Sequence, residues 1–517
     1  MEPHSYVWLF VIGAIISFAG GFGIGANDVA NSFSSSIGSR ALTLKQACCI
    51  AIFTEFLGAF LLGSNTSETI GEGIIKVSLF QSHPEVLMLA MVCALVVSTT
   101  WVLFASSRGW PVSTTHSIVG AIIGVGVASF GWKAIDWSID GLAKIIISWF
   151  VAPIVSGIAA SIIFLATKYL VLEHQETSFQ RGLIAIPIYF AIIIAINVFY
   201  IIFKGPSNLK LDNLKPYIIA SIVVGVTIIA VTFSHFFYVQ YLKRKILRKE
   251  TGLRWYHVFI IPFIGERYEN NVAENGIEKQ EGIEVEENKD VSSGLNPKKN
   301  IFQSCFATIG NYVARSINKE VADYKAHDNK EIHDFAIKYD PDTESLYSFL
   351  QILTSSFVSF AHGSNDVSNA VGPFSIIYLI YQYGVIQSGG ETIPIWIVAL
   401  GGFAIDLGLV LYGYHVMRSL GNRITYQSPS RGFSMELGTS LAIITASKMG
   451  LPISTTHCIT GATTAVGLCN GNAKALNWKL IGWCFFSWIL TVPVVALLAG
   501  CIFAFVANAP SLRGTVN

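Results

Sequence analysis

The sequence predicts an all-α polytopic membrane protein of about twelve transmembrane helices, on three observations. Hydrophobic residues make up 52% of the 517 positions and charged residues only 13%, where soluble domains carry about 25% charge. Half of the charge is gathered in one stretch, since residues 241–345 hold 16 Lys and Arg and 18 Asp and Glu. The remainder breaks into apolar runs such as 7–24, 87–105, 145–166, 183–203 and 217–233. Each is close to the roughly 18–20 residues that cross a bilayer core.

Reading apolar runs against breakers places seven spans before the charged stretch, near 6–26, 42–63, 86–106, 112–130, 142–168, 183–203 and 216–240. Five follow it, near 346–376, 393–414, 433–449, 452–470 and 480–507. The segments at 112–130 and 452–470 are rich in Gly, Ser and Thr and are expected to be broken or re-entrant. The domain plan is a membrane half over 1–240, a charged loop over 241–345, and a second membrane half over 346–517. The acidic run Glu278 to Asp290 gives the loop the composition of a solvated, largely disordered linker.

The loop opens on Lys243, Arg244, Lys245, Arg248 and Lys249, directly after a span. Basic residues at a membrane end favour the cytoplasm. Seven crossings before a cytoplasmic loop put the N-terminus outside, and five after it put the C-terminus outside. The sequon Asn65-Thr66-Ser67 then falls in an extracellular loop after the second span. Met1 to Phe10 lack a basic n-region and a small-residue cleavage site, so the first span is expected to act as its own insertion signal. Eight cysteines, including Cys48, Cys49, Cys93 and Cys484, lie mostly in apolar segments without paired CxxC spacing. They read as apolar fillers rather than a disulfide or metal framework. The net charge of +1 is uninformative about partners, and no nucleic-acid partner is expected.

Two motifs occur twice. Gly25-Ala26-Asn27-Asp28-Val29-Ala30-Asn31 is matched by Gly363-Ser364-Asn365-Asp366-Val367-Ser368-Asn369. Pro111-Val112-Ser113-Thr114-Thr115-His116 is matched by Pro452-Ile453-Ser454-Thr455-Thr456-His457. Asp28 precedes Ser113 by 85 positions and Asp366 precedes Ser454 by 88. The copies begin on spans one and eight. An odd number of crossings separates them, so they run in opposite directions. That arrangement is an inverted repeat, with a binding site expected near the midplane.

Asp28, Glu55, Asp366 and Glu436 sit within or beside apolar segments. A carboxylate at the bilayer centre costs about 2.5–3.5 kcal/mol. Few basic residues share those segments, so cations are the natural counter-charge. Asn-Asp among small residues supplies carboxylate, amide and carbonyl oxygens for a hard cation. The second motif supplies a helix start at a run of hydroxyls, with free N–H groups and a positive dipole end suited to an anion. Ser113 and Ser454 are also natural N-caps. Two such starts make a donor-rich cradle for a tetrahedral oxyanion, and bound cations would couple to it by neutralising the carboxylates. A hydrolase built on Ser beside His116 or His457 lacks an orienting acid, so no enzyme is expected. Asp406 is another intramembrane acid, with no assigned role.

GANDVANSFSSSIGSR, PVSTTHSIVGA, GSNDVSNAVGP and PISTTHCITGA resemble the paired signature of the PiT family of inorganic phosphate transporters, in its eukaryotic sodium-dependent form. The resemblance covers both membrane halves. It implies an inverted repeat of about twelve helices and sodium-coupled symport of inorganic phosphate into the cytoplasm by alternating access. It assigns phosphate to Ser113, Thr114, Thr115, Ser454, Thr455 and Thr456, and sodium to Asn27, Asp28, Asn365 and Asp366. Glu55 and Glu436 match acids needed for phosphate transport, although they are not repeat mates here. His362 matches a histidine of the eukaryotic members. Sodium is then the only metal, as a co-substrate, with no cofactor. Phosphate, sodium and the lipid bilayer are the partners, a homodimer is one assembly to test, and the plasma membrane is the expected location. Two alternatives stand beside this reading: proton-coupled phosphate or sulfate transport, and a phosphate sensor that signals through the central loop.

Overall fold

A bilayer offers no water to unpaired backbone groups, so apolar segments of this length fold as helices that satisfy themselves. The computed structural model describes residues 2–203, 214–250, 253–265, 332, 334–386, 393–413 and 424–508. In order, the main helices are α1 Val7–Gly38, α2 Leu44–Glu72, α3 Pro84–Ser107, α4 Thr114–Phe130, α5 Leu142–Thr167, α6 Ser178–Ile202 and α7 Pro216–Phe233. Then follow α8 Pro341–Leu346, α9 Ser348–Asp366, α10 Ser368–Tyr383, α11 Ile395–Tyr412, α12 Pro429–Lys448, α13 Thr455–Leu468 and α14 Trp478–Asn508. No strand occurs among the described residues; two isolated bridges, Ile75 with Ile135 and Thr425 with Leu476, sit one in each half.

Each predicted span falls on described helix, but the one expected at 346–376 is divided at Val367 into α9 and α10. Nine of the described helices are long and apolar enough to cross a membrane. The segments predicted at 346–376, 433–449 and 452–470 are helical but do not reach that length and hydropathy. Their polar residues face the interior, and they carry much of the repeated sequence. The first helix runs on to Gly38, past the predicted end near residue 26. The sequon is a correction. It lies inside α2, which continues to Glu72, and not in a loop. Thr66 and Ser67 are buried, their hydroxyls donating to the Gly63 carbonyl and, from Thr66, also to that of Ser364.

The helices that carry the two Asn-Asp motifs run antiparallel. The His4 N–H donates to Tyr381 O at 2.7 Å, Ser17 Oγ to Ala370 O at 3.0 Å, and Ser39 Oγ to Gln351 Oε1 at 2.6 Å. Residue numbers therefore fall along α10 and α9 as they rise along α1. The first glycine of each motif allows backbones to touch. Gly25 lies against the Ile405 carbonyl of α11, and Gly363 against the Glu55 carbonyl of α2. Gly124 meets Ala496 of α14 and Gly461 meets Pro153 of α5 in the same way. Gly363→Ala is expected to cost roughly 1–3 kcal/mol through overpacking, read as a lower thermal midpoint in detergent. Gly225→Ala, with open space around it, should lower nothing.

Of the central charged stretch, both flanks are described, while the acidic run lies outside the described residues. At the near flank, Arg244 pairs with Glu250 at 2.7 Å and donates to carbonyls of Ile261 and Ile264. At the far flank, Arg431 of α12 is buried among Phe164, Tyr339 and Tyr426 and donates to Ile337 O and Asn470 Oδ1. The Glu344 carboxylate accepts from the Ser430 N–H at 2.9 Å. The start of α12, the end of α13 and the returning chain thus share one side of the molecule.

Candidate functional site: an oxyanion cradle between two helix starts

Gly109 and Gly450 take positive φ of 67° and 65° and end α3 and α12 abruptly. Short extended segments through Pro111 and Pro452 then feed two new helices inside the protein, as the breaker pattern predicts. Ser113 Oγ accepts from the His116 N–H at 3.2 Å, and Ser454 Oγ from the His457 N–H at 3.3 Å. Both serines are N-caps. The two starts meet: Thr115 Oγ1 donates to Ile453 O at 3.3 Å, and the His116 and His457 rings lie 4.5 Å apart, edge to face. All six hydroxyl residues are buried.

The carboxylates reach the same place from the crossing helices. Asp28 lies mid-way along α1, and Asp366 ends α9 at a turn on Val367. Thr114 Oγ1 donates to Asp28 Oδ2 at 2.5 Å, and Thr455 Oγ1 donates to Asp366 Oδ2 at 2.7 Å. Thr456 Oγ1, from the other half, lies 3.3 Å from Asp28 Oδ1. Asn31 Nδ2 donates to Thr456 Oγ1 at 2.8 Å, and Asn369 Nδ2 lies 3.2 Å from both Thr114 and Thr115. Hydrogen bonds therefore cross between the two copies in both directions.

Asp28, His362 and Asp366 each offer one ligand atom within 4.8 Å of the others. Three buried amide oxygens, Asn27 Oδ1, Asn31 Oδ1 and Asn369 Oδ1, have no hydrogen-bond partner among the described residues. Hard cations take such oxygens, so the donor set suits sodium. Asn365 differs. Its Nδ2 donates to Ile453 O at 2.7 Å while its Oδ1 faces the Ile453 N–H at 3.3 Å. It clamps the second helix start with both ends of its amide, whereas Asn27 holds the segment before the first start through Nδ2 alone, on Trp110 O at 3.1 Å, and keeps its Oδ1 open. Asn31 and Asn369 are the residues that sequence reasoning did not select. Their signal was present, since each closes a copy of the Asn-Asp motif.

The remaining acids have separate surroundings. Glu55 accepts from Ser359 at 2.8 Å and contacts His362 Nδ1 at 2.5 Å. His362 Nε2 lies 2.9 Å from Asp366 Oδ2, close but out of hydrogen-bond alignment. The order Glu55, His362, Asp366 links α2 to the cradle. Glu436 stands in its own cage, accepting from Ser35 at 2.6 Å, Ser36 and Thr354 at 2.7 Å, and Gln351 at 3.2 Å. Among the described residues, none of those four partners hydrogen-bonds to a threonine of the cradle. Asp406, on α11, has a buried Oδ1 without a hydrogen-bond partner among the described residues and feels the charge of Glu55 without bonding to it.

The sequence profile of the phosphate transporter family matches residues 24–499, nearly the whole chain. The chain belongs to the phosphate transporter family. Within that family it is 34% identical to the phosphate-repressible phosphate permease pho-4 of Neurospora crassa, over 99% of each chain. It is 30% identical to sodium-dependent phosphate transporter 1 of Mus musculus, over 97% of this chain and 96% of that one. A solved structure described as the sodium-dependent phosphate transporter superposes with a TM-score of 0.72 at 29% identity, covering 97% of this chain and 100% of the other. As a member of the phosphate transporter family, the chain is a multi-pass membrane carrier and not an enzyme.

Proposed function

We propose that this chain is a sodium-coupled symporter that brings inorganic phosphate into the cytoplasm by alternating access. One observation carries the reading: Thr114 and Thr455 donate their hydroxyls to Asp28 and Asp366. The donors that a phosphate would need are held by carboxylates. Sodium on those carboxylates supplies the counter-charge, frees the hydroxyls and removes the repulsion between acid and anion. Phosphate in turn strengthens sodium binding by the same coupling free energy.

Phosphate then sits between the two helix starts, on Thr114, Thr115, Thr455 and Thr456, with Ser113 and Ser454 capping the helices whose N–H groups face it. Sodium takes Asp28 and Asp366 with the amide oxygens of Asn27, Asn31 and Asn369, while Asn365 acts as a clamp. Glu55 and His362 set the charge around Asp366, and Glu436 orders α1 against α9. The antiparallel course of α1 and α9–α10, with crossed bonds between the copies, supports an inverted repeat of two membrane halves, 1–240 and 346–517, joined by 241–345. The basic cluster after α7 supports a cytoplasmic loop with both termini outside, in the plasma membrane. The relatives named for sodium-dependent phosphate transport support the choice of ion and anion.

Proteoliposomes with separately imposed gradients test this. An inward sodium gradient should drive phosphate uptake at constant pH, with arsenate competing and sulfate not. Uptake that follows a proton gradient in sodium-free buffer would overturn sodium coupling.

A further inference from the structure

A groove of about 560 Å³ is lined by α5, α13 and the Phe485–Trp488 turn of α14. On α5 its lining includes Phe150, Ile154, Ile158 and Ile162, all four exposed. The groove therefore opens sideways to the bilayer. Two of its polar residues spend their groups within the protein. Thr464 donates its hydroxyl back to Thr460 O at 2.7 Å, a bond open to any helical threonine. His457 sets Nδ1 against Trp149 O at 3.2 Å. What remains is mostly hydrocarbon.

The repeat supplies a reason for the groove. The two halves register on matching ring pairs, His116 on Trp149 at 3.9 Å and His457 on Trp488 at 3.8 Å. Counting from those pairs, α4 has Gly124 where α13 has Ala465, and α14 has Gly500 where α5 has Ser161. In the first half Gly500 lies against the Gly124 carbonyl. In the second half two side chains stand in place of that backbone contact. α5 and α13 touch where Gly461 meets the Pro153 carbonyl. They spread from there toward the loop side, where Leu165 and Leu468 line the groove. A gap of this kind forfeits dispersion contacts unless something of the right shape fills it.

Its dimensions identify the filler. His457 to Leu468 spans about 16 Å of helix at 1.5 Å per residue. One leaflet is as deep, about 15 Å or half of a bilayer core. A helix from a second copy, 10–12 Å across and equally long, takes about 1,500 Å³ and does not fit. A single acyl chain is narrow enough. At the loop-side end stands Lys168, at i+7 from Ser161 and so on the same face of α5. It is buried, its Nζ donates to Cys469 O at 3.2 Å, and Glu173 lies 3.7 Å away. An ammonium carries three donors, so a phosphodiester oxygen can share it. We propose that the groove holds one acyl chain of a phospholipid from the loop-side leaflet, with its phosphate at Lys168. The chain props α13, whose start carries Thr455 and Thr456. This goes beyond the symport reading and does not depend on it.

Native mass spectrometry of the full chain in detergent tests this, with dioleoyl phosphatidylcholine and dioleoylglycerol as probes. The parent should hold one phosphatidylcholine more than Thr464→Trp or Ser161→Phe, which fill the groove from two different helices. Added phosphatidylcholine should raise the parent's thermal midpoint, as a ligand of the native state does, and leave both variants unmoved. Without added lipid, each variant should melt no lower than the parent. Lys168→Met keeps the apolar stem. It should weaken phosphatidylcholine binding about tenfold, the value of roughly one hydrogen bond to a charged group, and leave dioleoylglycerol unchanged. If both groove-filling variants bind phosphatidylcholine as the parent does, the site is overturned. An equal effect of Lys168→Met on the two lipids overturns the place of the phosphate. A lipid-free dimer that Thr464→Trp splits into monomers overturns the lipid in favour of a second copy.

Discussion

Asp28→Asn and Asp366→Asn are each expected to raise the sodium concentration for half-maximal phosphate uptake by on the order of 10- to 100-fold. The magnitude follows from losing one charged ligand, about 1.5–3 kcal/mol for a charge-assisted contact. The substitution keeps the shape and one oxygen, so packing is little changed. What it removes is the negative charge that needs a cation before an anion can bind beside it. Asn also accepts the hydroxyl less strongly, so Thr114 or Thr455 becomes more available to phosphate without sodium. The sodium activation curve should therefore shift and flatten, rather than merely scale down. Uptake as a function of sodium, normalised to protein at the surface, checks this. An unaltered curve in both variants would falsify the coupling scheme.

His362→Leu is expected to destabilise the fold by about 3–5 kcal/mol, the usual consequence of leaving one partner of a buried charged group alone. His362 and Glu55 are fully buried and Asp366 nearly so. Glu55 and Asp366 face opposite nitrogens of the same ring. Without the imidazole, two buried carboxylates share a pocket with no cation of the protein's own between them. The thermal midpoint in detergent should fall well below that of Gly363→Ala, and uptake should fall with it. His362→Leu combined with Glu55→Gln should regain part of the lost midpoint, because one uncompensated charge is gone. If the double variant is no more stable than the single one, the pairing is not what holds this region.

Much of this is legible in the chain. Helix positions follow from apolar runs, and both helix starts from Gly, Pro and the hydroxyls behind them. The motif pairs single out Asp28, Asp366 and the threonines, because polar residues duplicated within apolar segments carry an insertion cost that bound ions offset. Three things are not legible. The end of α1 is hidden because Ser32 to Ser36 looks like a loop in water, yet Ser35 and Ser36 bond inside the bundle to Glu436. The sequon looks exposed for a similar reason, since polar residues after an apolar run suggest a membrane edge. The different uses of Asn27 and Asn365 depend on which backbone each amide meets, and identical motifs carry no information about that.

The glycine contacts divide the molecule into solid pieces and a seam. Where backbones touch, as in α1 on α11, α2 on α9, α4 on α14 and α13 on α5, the paired helices leave no room between them for a side chain. The cradle is not built that way. Its two sides are held by Thr114 on Asp28, Thr455 on Asp366 and Asn31 on Thr456, bonds that sodium and phosphate can each replace with their own. Under the proposed symport reading, the cargo occupies the joint between these pairs, and filling it is expected to unlatch them.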